Sequence, residues 1–134
     1  MAEIESKKKE FKYQGKAIEE LKQLDTREFA KFINSRSRRT LLRNFQEIEN
    51  FINRAKEKAK KGKSIRTHKR DIVIVPEMIG MKISIYNGQK FIPIEITGDM
   101  LGHKFGEFAS SRQRILHGKA GVGATKGSKH KSKK

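Results

Sequence analysis

The sequence predicts an α+β fold: a small three-stranded sheet with a hairpin and a short helix, preceded by N-terminal helices and followed by an extended basic tail. β-branched residues and turn signals are concentrated between residues 71 and 110. Apolar residues recur at spacings of three and four before residue 60, which is the period of amphipathic helices. After residue 110 they nearly vanish, and Gly, Ser, Lys and His dominate, as is typical of a segment without a core.

A β-hairpin forms the centre of the predicted sheet. Residues 83–85 and 91–96 flank a segment that contains Asn87-Gly88, a dipeptide suited to the positive φ angles of a tight type I′ turn. Pro93 lacks the N–H that an inner strand uses, so its strand is expected at an edge or at a bulge. The apolar run 72–75, which ends at a proline, predicts the third strand.

The N-terminal helices are predicted from their apolar stripes and boundary residues. Apolar residues over 17–24 define one face of a first short helix. Asp25 and Glu28 have the spacing of a capping box for a second helix, which ends before Asn34. A longer helix is expected from about Gln46 to Lys60, and Gly62 ends it.

A short helix is also predicted over residues 99–108, where it presents a candidate catalytic cluster. Asp99, His103 and Glu107 follow one another at intervals of four, which on a helix places an acid, a base and a metal ligand on one face. A metal site needs three or four ligands, and no second His-rich motif converges on this segment. A surface histidine beside carboxylates is therefore the better interpretation, and no catalytic residue and no metal site are predicted.

The glycine-rich segment 118–125 resembles a phosphate-binding loop without meeting its requirements. Ala124 stands where that loop needs its lysine, and the segment neither follows a strand nor opens an apolar helix. A nucleotide cofactor is therefore not expected. A glycine-rich peptide whose backbone N–H groups approach the phosphates of a nucleic acid is the better interpretation.

Several classes of protein are excluded by what the sequence lacks. With no Cys, the chain has no disulfide framework, no thiolate zinc site and no thiol catalysis. No apolar run of about 18 residues and no signal-peptide core follows Met1, so a membrane partner is not expected. We expect a cytoplasmic protein without cofactors.

The distribution of charge points to a polyanionic partner. The net charge is +17, with 32 Lys and Arg residues against 15 Asp and Glu residues. Residues 54–70 contain nine basic residues and one acidic residue, and residues 111–134 contain eight basic residues and no acidic residue. Residues 71–110 carry a net charge of −2. Because like charges repel unless they are neutralised, we expect two basic arms that bind phosphates on either side of a nearly neutral centre.

Aromatic residues are few, with no Trp, and no recognition-module signature with strand-borne stacking aromatics is present. Binding is therefore expected to rest on phosphate contacts and on shape. Composition alone equally supports a DNA-compacting architectural protein, and an enzyme that uses His103 is a third class.

Several short motifs, read together, resemble a known family. They are Arg66–Asp71, Pro76–Gly80, Tyr86–Gly88, Met100–Phe108 and His117–Thr125. Over about residues 11–126 the chain is similar to the universal small-subunit ribosomal protein family S-nineteen, in its archaeal and eukaryotic branch. The stretch 11–15 and the arginine cluster 36–43 resemble the N-terminal extension of that branch.

The resemblance implies a structural constituent of the small ribosomal subunit, and not an enzyme. Such a protein binds ribosomal RNA of the 3′ major domain in the subunit head, beside the thirteenth small-subunit protein family. Its C-terminal tail reaches toward the decoding region and transfer RNA. The expected segments are a disordered start (1–10), an N-terminal helical extension (11–63), an α+β core (64–110) and a basic Gly/Lys-rich tail (111–134).

Candidate RNA-binding residues come from two sources. The basic clusters suggest ribosomal RNA contacts at Arg36, Arg38, Arg39, Arg43, Lys61, Lys63 and Lys119. The resemblance implies further contacts at Arg66, Thr67, His68, Lys69, Arg70, His103, Lys104, Arg112, Arg114 and His117. It also implies a tail near transfer RNA and the decoding region at Gly121, Gly123, Thr125 and Lys126.

Overall fold

Helices precede a small sheet in the computed structural model, which describes residues 11–116, 120–122 and 124–130. The α-helices are α1 (Ile18–Gln23), α2 (Thr26–Phe29), α3 (Ser35–Arg43) and α4 (Phe45–Lys60). Two short strands, β1 (Lys12–Tyr13) and β2 (Lys16–Ala17), pair before them. The three-stranded sheet consists of β3 (Ile65–Thr67), β4 (Lys82–Tyr86) and β5 (Phe91–Glu95). The predicted α+β class is confirmed.

The N-terminal segment turns back on itself before its first helix begins. Gln14 and Gly15 have φ angles of 50° and 80°, which reverse the chain between β1 and β2. Helix α1 therefore starts at Ile18, and only part of the predicted 17–24 stripe is helical. Asp25 occupies the N-cap position of α2 but makes no side-chain capping hydrogen bond, so the predicted capping box does not form.

Helices α3 and α4 follow one another with a single residue between them. Asn34 caps α3, because its side-chain oxygen accepts a hydrogen bond from the backbone N–H of Ser37 at 2.9 Å. The predicted long helix is confirmed as α4, and Gly62 ends it with a φ of +64°. The N–H of Gly62 donates to the carbonyl of Ala59, which satisfies one of the last carbonyls of the helix.

One hydrophobic core unites the helices and the sheet. The fully buried residues include Leu21, Phe29, Leu41 and Ile48 from the helices, and Ile74, Ile83, Ile85 and Phe105 from the second half of the chain. The ring centroids of Phe51 and Phe105 are 5.6 Å apart, and this contact joins α4 directly to the C-terminal part of the core. The N-terminal helices therefore pack on the chain's own sheet, and the segments 11–63 and 64–110 share a single core.

The hairpin is confirmed, but its turn differs from the prediction. The N–H of Asn87 donates to the carbonyl of Lys90 at 3.1 Å, which leaves four residues in the loop. Of these only Gly88 has a positive φ, at 101°, so the turn is not type I′. The Asn87 side chain instead accepts hydrogen bonds from the N–H groups of Gln89 and Lys90, both at 2.9 Å. The prediction overlooked this side-chain bonding.

The third strand lies earlier in the chain than predicted. Strand β3 pairs in parallel with β4, and its residues fall within the stretch 54–70 that was predicted as a basic arm. The apolar run 72–75 is fully buried but stays outside the sheet. Its backbone pairs with a later segment, where the N–H of Ile74 donates to His103 at 2.8 Å and Gly102 donates to Ile74 at 3.1 Å. All four residues of this run are apolar because the whole segment is buried, and not because it belongs to the sheet.

The predicted helix over 99–108 is wrong. Two short 3₁₀ turns occupy this segment, Gly98–Met100 and Phe105–Glu107. The residues between them run beside the buried 72–75 segment, with Val73 and Lys104 in an antiparallel bridge. A continuous helix would remove the backbone partners of that segment. The edge position predicted for Pro93 is confirmed, because β5 is an edge strand in the order β3-β4-β5.

The described part of the tail is irregular. Residues 110–116 form no helix or strand, and residues 124–130 form hydrogen-bonded turns in place of the extended chain predicted there. The predicted disordered start over 1–10 lies outside the described residues. Within the described ranges, no helix combines the length and apolar character needed to cross a membrane.

Two neighbouring leucines of α3 test the shared core. Leu41 is fully buried, whereas Leu42 is 49% exposed. Leu41→Ala should lower the free energy of unfolding by about 2–5 kcal/mol, because it leaves a cavity between α3 and the rest of the core. Leu42→Ala should change it by no more than about 0.5 kcal/mol. Urea unfolding followed by circular dichroism measures both, and equal effects would show that α3 does not belong to the core.

Candidate RNA-binding surface

Three arginines form an exposed row on helix α3. Arg36, Arg39 and Arg43 are spaced by three and four residues and so lie on one face, over a rise of about 10 Å. Helix α3 has no acidic residue, and no carboxylate within the described residues forms an ion pair with this row. We call these three residues the arginine row. Their guanidinium groups are available to an external anion.

The fourth arginine of this cluster is used by the fold. Arg38 donates from Nε to the carbonyl of Ala30 at 2.9 Å. Its terminal nitrogen donates to Lys31 and Ile33 at 3.1 and 3.2 Å. These carbonyls follow α2, where the helical pattern stops and leaves backbone acceptors without helical partners. Arg38 therefore fixes the entry into α3, on which the arginine row stands.

A second basic region follows the last turns of α4. Lys58, Lys60, Lys61 and Lys63 are all exposed, and Lys56 is also exposed but forms an ion pair with Glu77. Cations at this position interact favourably with the negative end of the helix dipole. The stretch 54–70, predicted as a basic arm, is instead the second half of α4 followed by β3. Its charges therefore have fixed positions relative to the core.

The residues of β3 and the segment after it have different environments. Arg66 is exposed, and its guanidinium lies 5.5 Å from the centre of the Phe91 ring. Thr67 is buried, and its hydroxyl accepts a hydrogen bond from the N–H of Lys69 at 3.1 Å. The Lys69 ammonium forms an ion pair with Glu47. Of these predicted contacts, Arg66 is the one with an exposed and unpaired charge.

Arg70 holds three parts of the fold together. Its guanidinium donates to the carbonyls of Tyr86 at 2.7 Å, Gly106 at 2.9 Å and Ala109 at 2.6 Å. The N–H of Gly106 donates in turn to the Arg70 carbonyl at 2.8 Å. A side chain at Gly106 would lie only 3.2 Å from that oxygen, so the glycine permits the close approach. The predicted contact residue Arg70 thus serves the fold directly.

The candidate catalytic cluster is only partly brought together. His103 and Glu107 are both about half exposed, and Nδ1 of the histidine lies 2.7 Å from a carboxylate oxygen. Asp99 belongs to the preceding 3₁₀ turn. No group of three or more potential ligands that could hold a metal ion occurs in the described residues. His103 and the half-buried Lys104 flank the extended strip that pairs with the 72–75 segment.

The predicted tail contacts are exposed wherever the structure describes them. Arg112 and Arg114 lie in the irregular stretch that leaves the core, and Gly121 and Lys126 are exposed beyond it. The hydroxyl of Thr125 lies 2.6 Å from that of Ser128 within a turn. Three further predicted contacts, His117, Lys119 and Gly123, lie outside the described residues.

An aromatic cluster on the sheet was missed by sequence reasoning. The His68 ring lies 4.6 Å from the Tyr86 ring and 5.0 Å from the Phe91 ring, and the last two are 5.2 Å apart. Tyr86 and Phe91 are cross-strand partners at the end of the hairpin that carries the loop. Their positions on either side of the Asn87-Gly88 turn were a usable signal. The position of His68 was not, because β3 was not predicted.

A family model for ribosomal protein S19 matches residues 38–117, from α3 to the start of the tail. The chain belongs to the ribosomal protein S19 family. It is 38% identical over 126 residues to the small ribosomal subunit protein uS19 of Methanococcoides burtonii, covering 94% of this chain and 90% of that protein. The resemblance stated from sequence motifs is confirmed.

Membership of the S19 family establishes the general role of the chain. It is a structural, non-enzymatic protein of the small ribosomal subunit and acts in translation as part of a ribonucleoprotein. The DNA-compacting and enzymatic alternatives are therefore set aside. The S19 match includes the aromatic cluster, Arg70 and the His103 segment, whereas it begins two residues after Arg36.

The contrast between internal and external arginines can be tested by stability. Arg70→Met should lower the free energy of unfolding by about 2–3 kcal/mol, since three carbonyls lose a charged donor. Arg36→Met, which removes an exposed charge from α3, should change it by no more than about 0.5 kcal/mol. Chemical denaturation at equilibrium gives both values. If Arg70→Met were as stable as the wild type, its three hydrogen bonds would not be stabilising the fold.

Proposed function

We propose that the chain binds ribosomal RNA of the 3′ major domain in the head of the small subunit, by neutralising phosphates and by fitting its shape. The arginine row carries this proposal, because three unpaired guanidinium groups are fixed on one face of a helix that the core holds in place. Guanidinium forms paired hydrogen bonds with phosphate oxygens, which suits it to an RNA backbone.

The exposed lysines around Lys61 and Lys63 extend the phosphate-binding surface beyond α4. Because α3 and α4 share the core, the arginine row and these lysines keep a fixed separation. Fixed charges bind a structured RNA without first being ordered, so less conformational entropy is lost on binding. The folded part of the chain then selects a shape of RNA, and the remaining basic residues add affinity.

Arg38, Thr67 and Arg70 contribute to RNA binding through the segments they position. Arg38 holds the start of α3 and hence the arginine row. Arg70 holds the end of β4 and the segment that leads into the tail. We assign direct contacts with RNA to the exposed residues Arg66, His68, Arg112 and Arg114, and also to His103 and Lys104.

The tail is assigned to the decoding region and transfer RNA, and the thirteenth small-subunit protein family is assigned as a neighbour in the head. Both assignments come from the family resemblance. Ile115 and Leu116 are 73% and 89% exposed in the isolated chain, next to Arg112 and Arg114. A basic segment with exposed apolar side chains suits a surface composed of RNA and protein together.

The arginine row is tested by the salt dependence of RNA binding. Replacing Arg36, Arg39 and Arg43 by Gln should weaken binding to a transcript of the 3′ major domain. It should also reduce the slope of log affinity against log salt concentration by about 2–3, because each lost phosphate contact removes roughly 0.7–0.9 from the slope. Filter binding across a salt series measures both quantities.

A matched control removes the same charge elsewhere. Lys12, Lys22 and Lys31 are exposed residues of the N-terminal segment, and replacing all three by Gln lowers the net charge equally. This variant should keep nearly the wild-type slope. Equal losses in the two variants would show that net charge, and not the arginine row, determines binding.

The contribution of the tail is tested by truncation after Ser111. Among the described residues Ala109 is the last buried one, so the shortened chain keeps its core. Removing the eight basic residues beyond this point should weaken binding to the same RNA and lower the salt slope. An unchanged slope would exclude the tail as a phosphate-binding arm, and unfolding measurements confirm that the core is intact.

A further inference from the structure

The outer face of the three-stranded sheet carries a group of side chains that the fold does not require. In β4, Ile83 and Ile85 are buried on the inner face, so Ser84 and Tyr86 point to the outer face. The register then places residues from both neighbouring strands on the same face. Phe91 pairs with Tyr86, and Arg66 pairs with Ser84.

His68 completes this group from the segment after β3. It lies two residues beyond Arg66 and contacts both aromatic rings, at 4.6 Å to Tyr86 and 5.0 Å to Phe91. The Arg66 guanidinium lies 5.5 Å from the Phe91 ring. We call these four residues the ring platform. Tyr86 and Phe91 are half-buried, and both Arg66 and His68 are exposed.

A cationic cleft opens beside the platform, along the free edge of β3. It has a volume of about 260 Å³ and lies between β3 and α4, with Arg66 and His68 shared between the cleft and the platform. Phe51, Ala55 and Ile65 give the cleft an apolar lining. Arg54 and Lys58 line it from α4, and neither has a carboxylate partner among the described ion pairs.

We propose that the ring platform and this cleft together bind one unpaired nucleotide of ribosomal RNA, with the base stacked on the platform and its phosphate beside Arg54 and Lys58. This inference rests on the proposed binding of ribosomal RNA. Unpaired bases are recognised by stacking on aromatic rings, histidine and guanidinium planes, which are the groups present here. The phosphate of a stacked nucleotide lies close to its base and is bound by neighbouring cationic side chains. The cleft beside the platform supplies such side chains.

A purely structural role for the four residues of the ring platform does not account for all of their positions. A cross-strand aromatic pair stabilises a hairpin, and Tyr86 with Phe91 satisfies that need. It does not explain why Arg66 and His68, from another part of the chain, lie against the same rings and remain exposed. The acidic residue of this face, Glu95, lies at the other end of the hairpin, opposite Lys82. The platform end is therefore cationic, which suits a polyanion, and the exposed ring faces favour one that carries bases.

Affinity and salt slope separate stacking from phosphate contact. Phe91→Leu keeps an apolar side chain on the hairpin but removes the ring, and it should weaken binding to the 3′ major domain transcript about tenfold with the salt slope unchanged. Arg54→Gln should weaken binding and lower the slope by about 0.7–0.9. Phe11→Leu, which removes a 39% exposed ring far from the platform in the sequence, is the matched control and should bind as the wild type does.

A second variant and a second measurement protect the test against misfolding. His68→Leu changes an exposed side chain and should also weaken binding without altering the slope, whether or not Phe91→Leu folds. In assembled small subunits, ultraviolet crosslinking followed by mass spectrometry should join a base to Tyr86, His68 or Phe91. Wild-type affinity in both ring variants, or a protein covering the rings in the particle, would overturn the platform. Absence of RNA binding by the wild-type chain would overturn the proposed function itself.

Discussion

The guanidinium of Arg70 is the interaction on which the arrangement of the second half of the chain depends. It joins the end of β4 to two carbonyls of the segment that leads into the tail. Its backbone also pairs with Gly106, where no side chain fits without displacing a neighbour. Because three acceptors converge on one charged group, the sheet, the buried 72–75 segment and the start of the tail keep fixed relative positions. These internal hydrogen bonds position the exposed residues at the end of β4 and at the start of the tail.

Basic residues of this chain thus fall into two groups that the sequence does not distinguish. Arg38 and Arg70 use their donors on backbone carbonyls, and Lys56 and Lys69 are paired with carboxylates. The arginine row and the exposed lysines at the C-terminal end of α4 have no such partners among the described residues. A net charge of +17 therefore overstates the charge available to RNA, and the unpaired residues mark the binding surface more sharply than composition does.

Sequence patterns predicted those elements whose periodicity has a single explanation. The apolar stripe of α4 fits only a helix, and the alternation of residues 83–85 and 91–96 fits only paired strands. Both elements formed as expected. The run 72–75 fits two structures, because a strand of a sheet and a buried extended segment have the same composition. Strand β3 was hidden by its length of three residues and its central arginine. The sequence named the arginines of residues 36–43 as one cluster of four. Helix α3 and the internal hydrogen bonds of Arg38 separate the arginine row from it, and, like the ring platform, they are revealed only by the fold.

The pairing of the 72–75 segment also constrains how the protein folds. Ile74 bonds to residues about thirty positions later, and β3 pairs with a strand that begins some fifteen residues after it ends. Contacts so far apart in sequence form more slowly than those of neighbouring helices, because a long loop must close first. Helices α3 and α4 can therefore form early, whereas the core closes only once the chain has been synthesised to about Ala109. The basic residues beyond Ser111 are therefore synthesised after every described residue of the core.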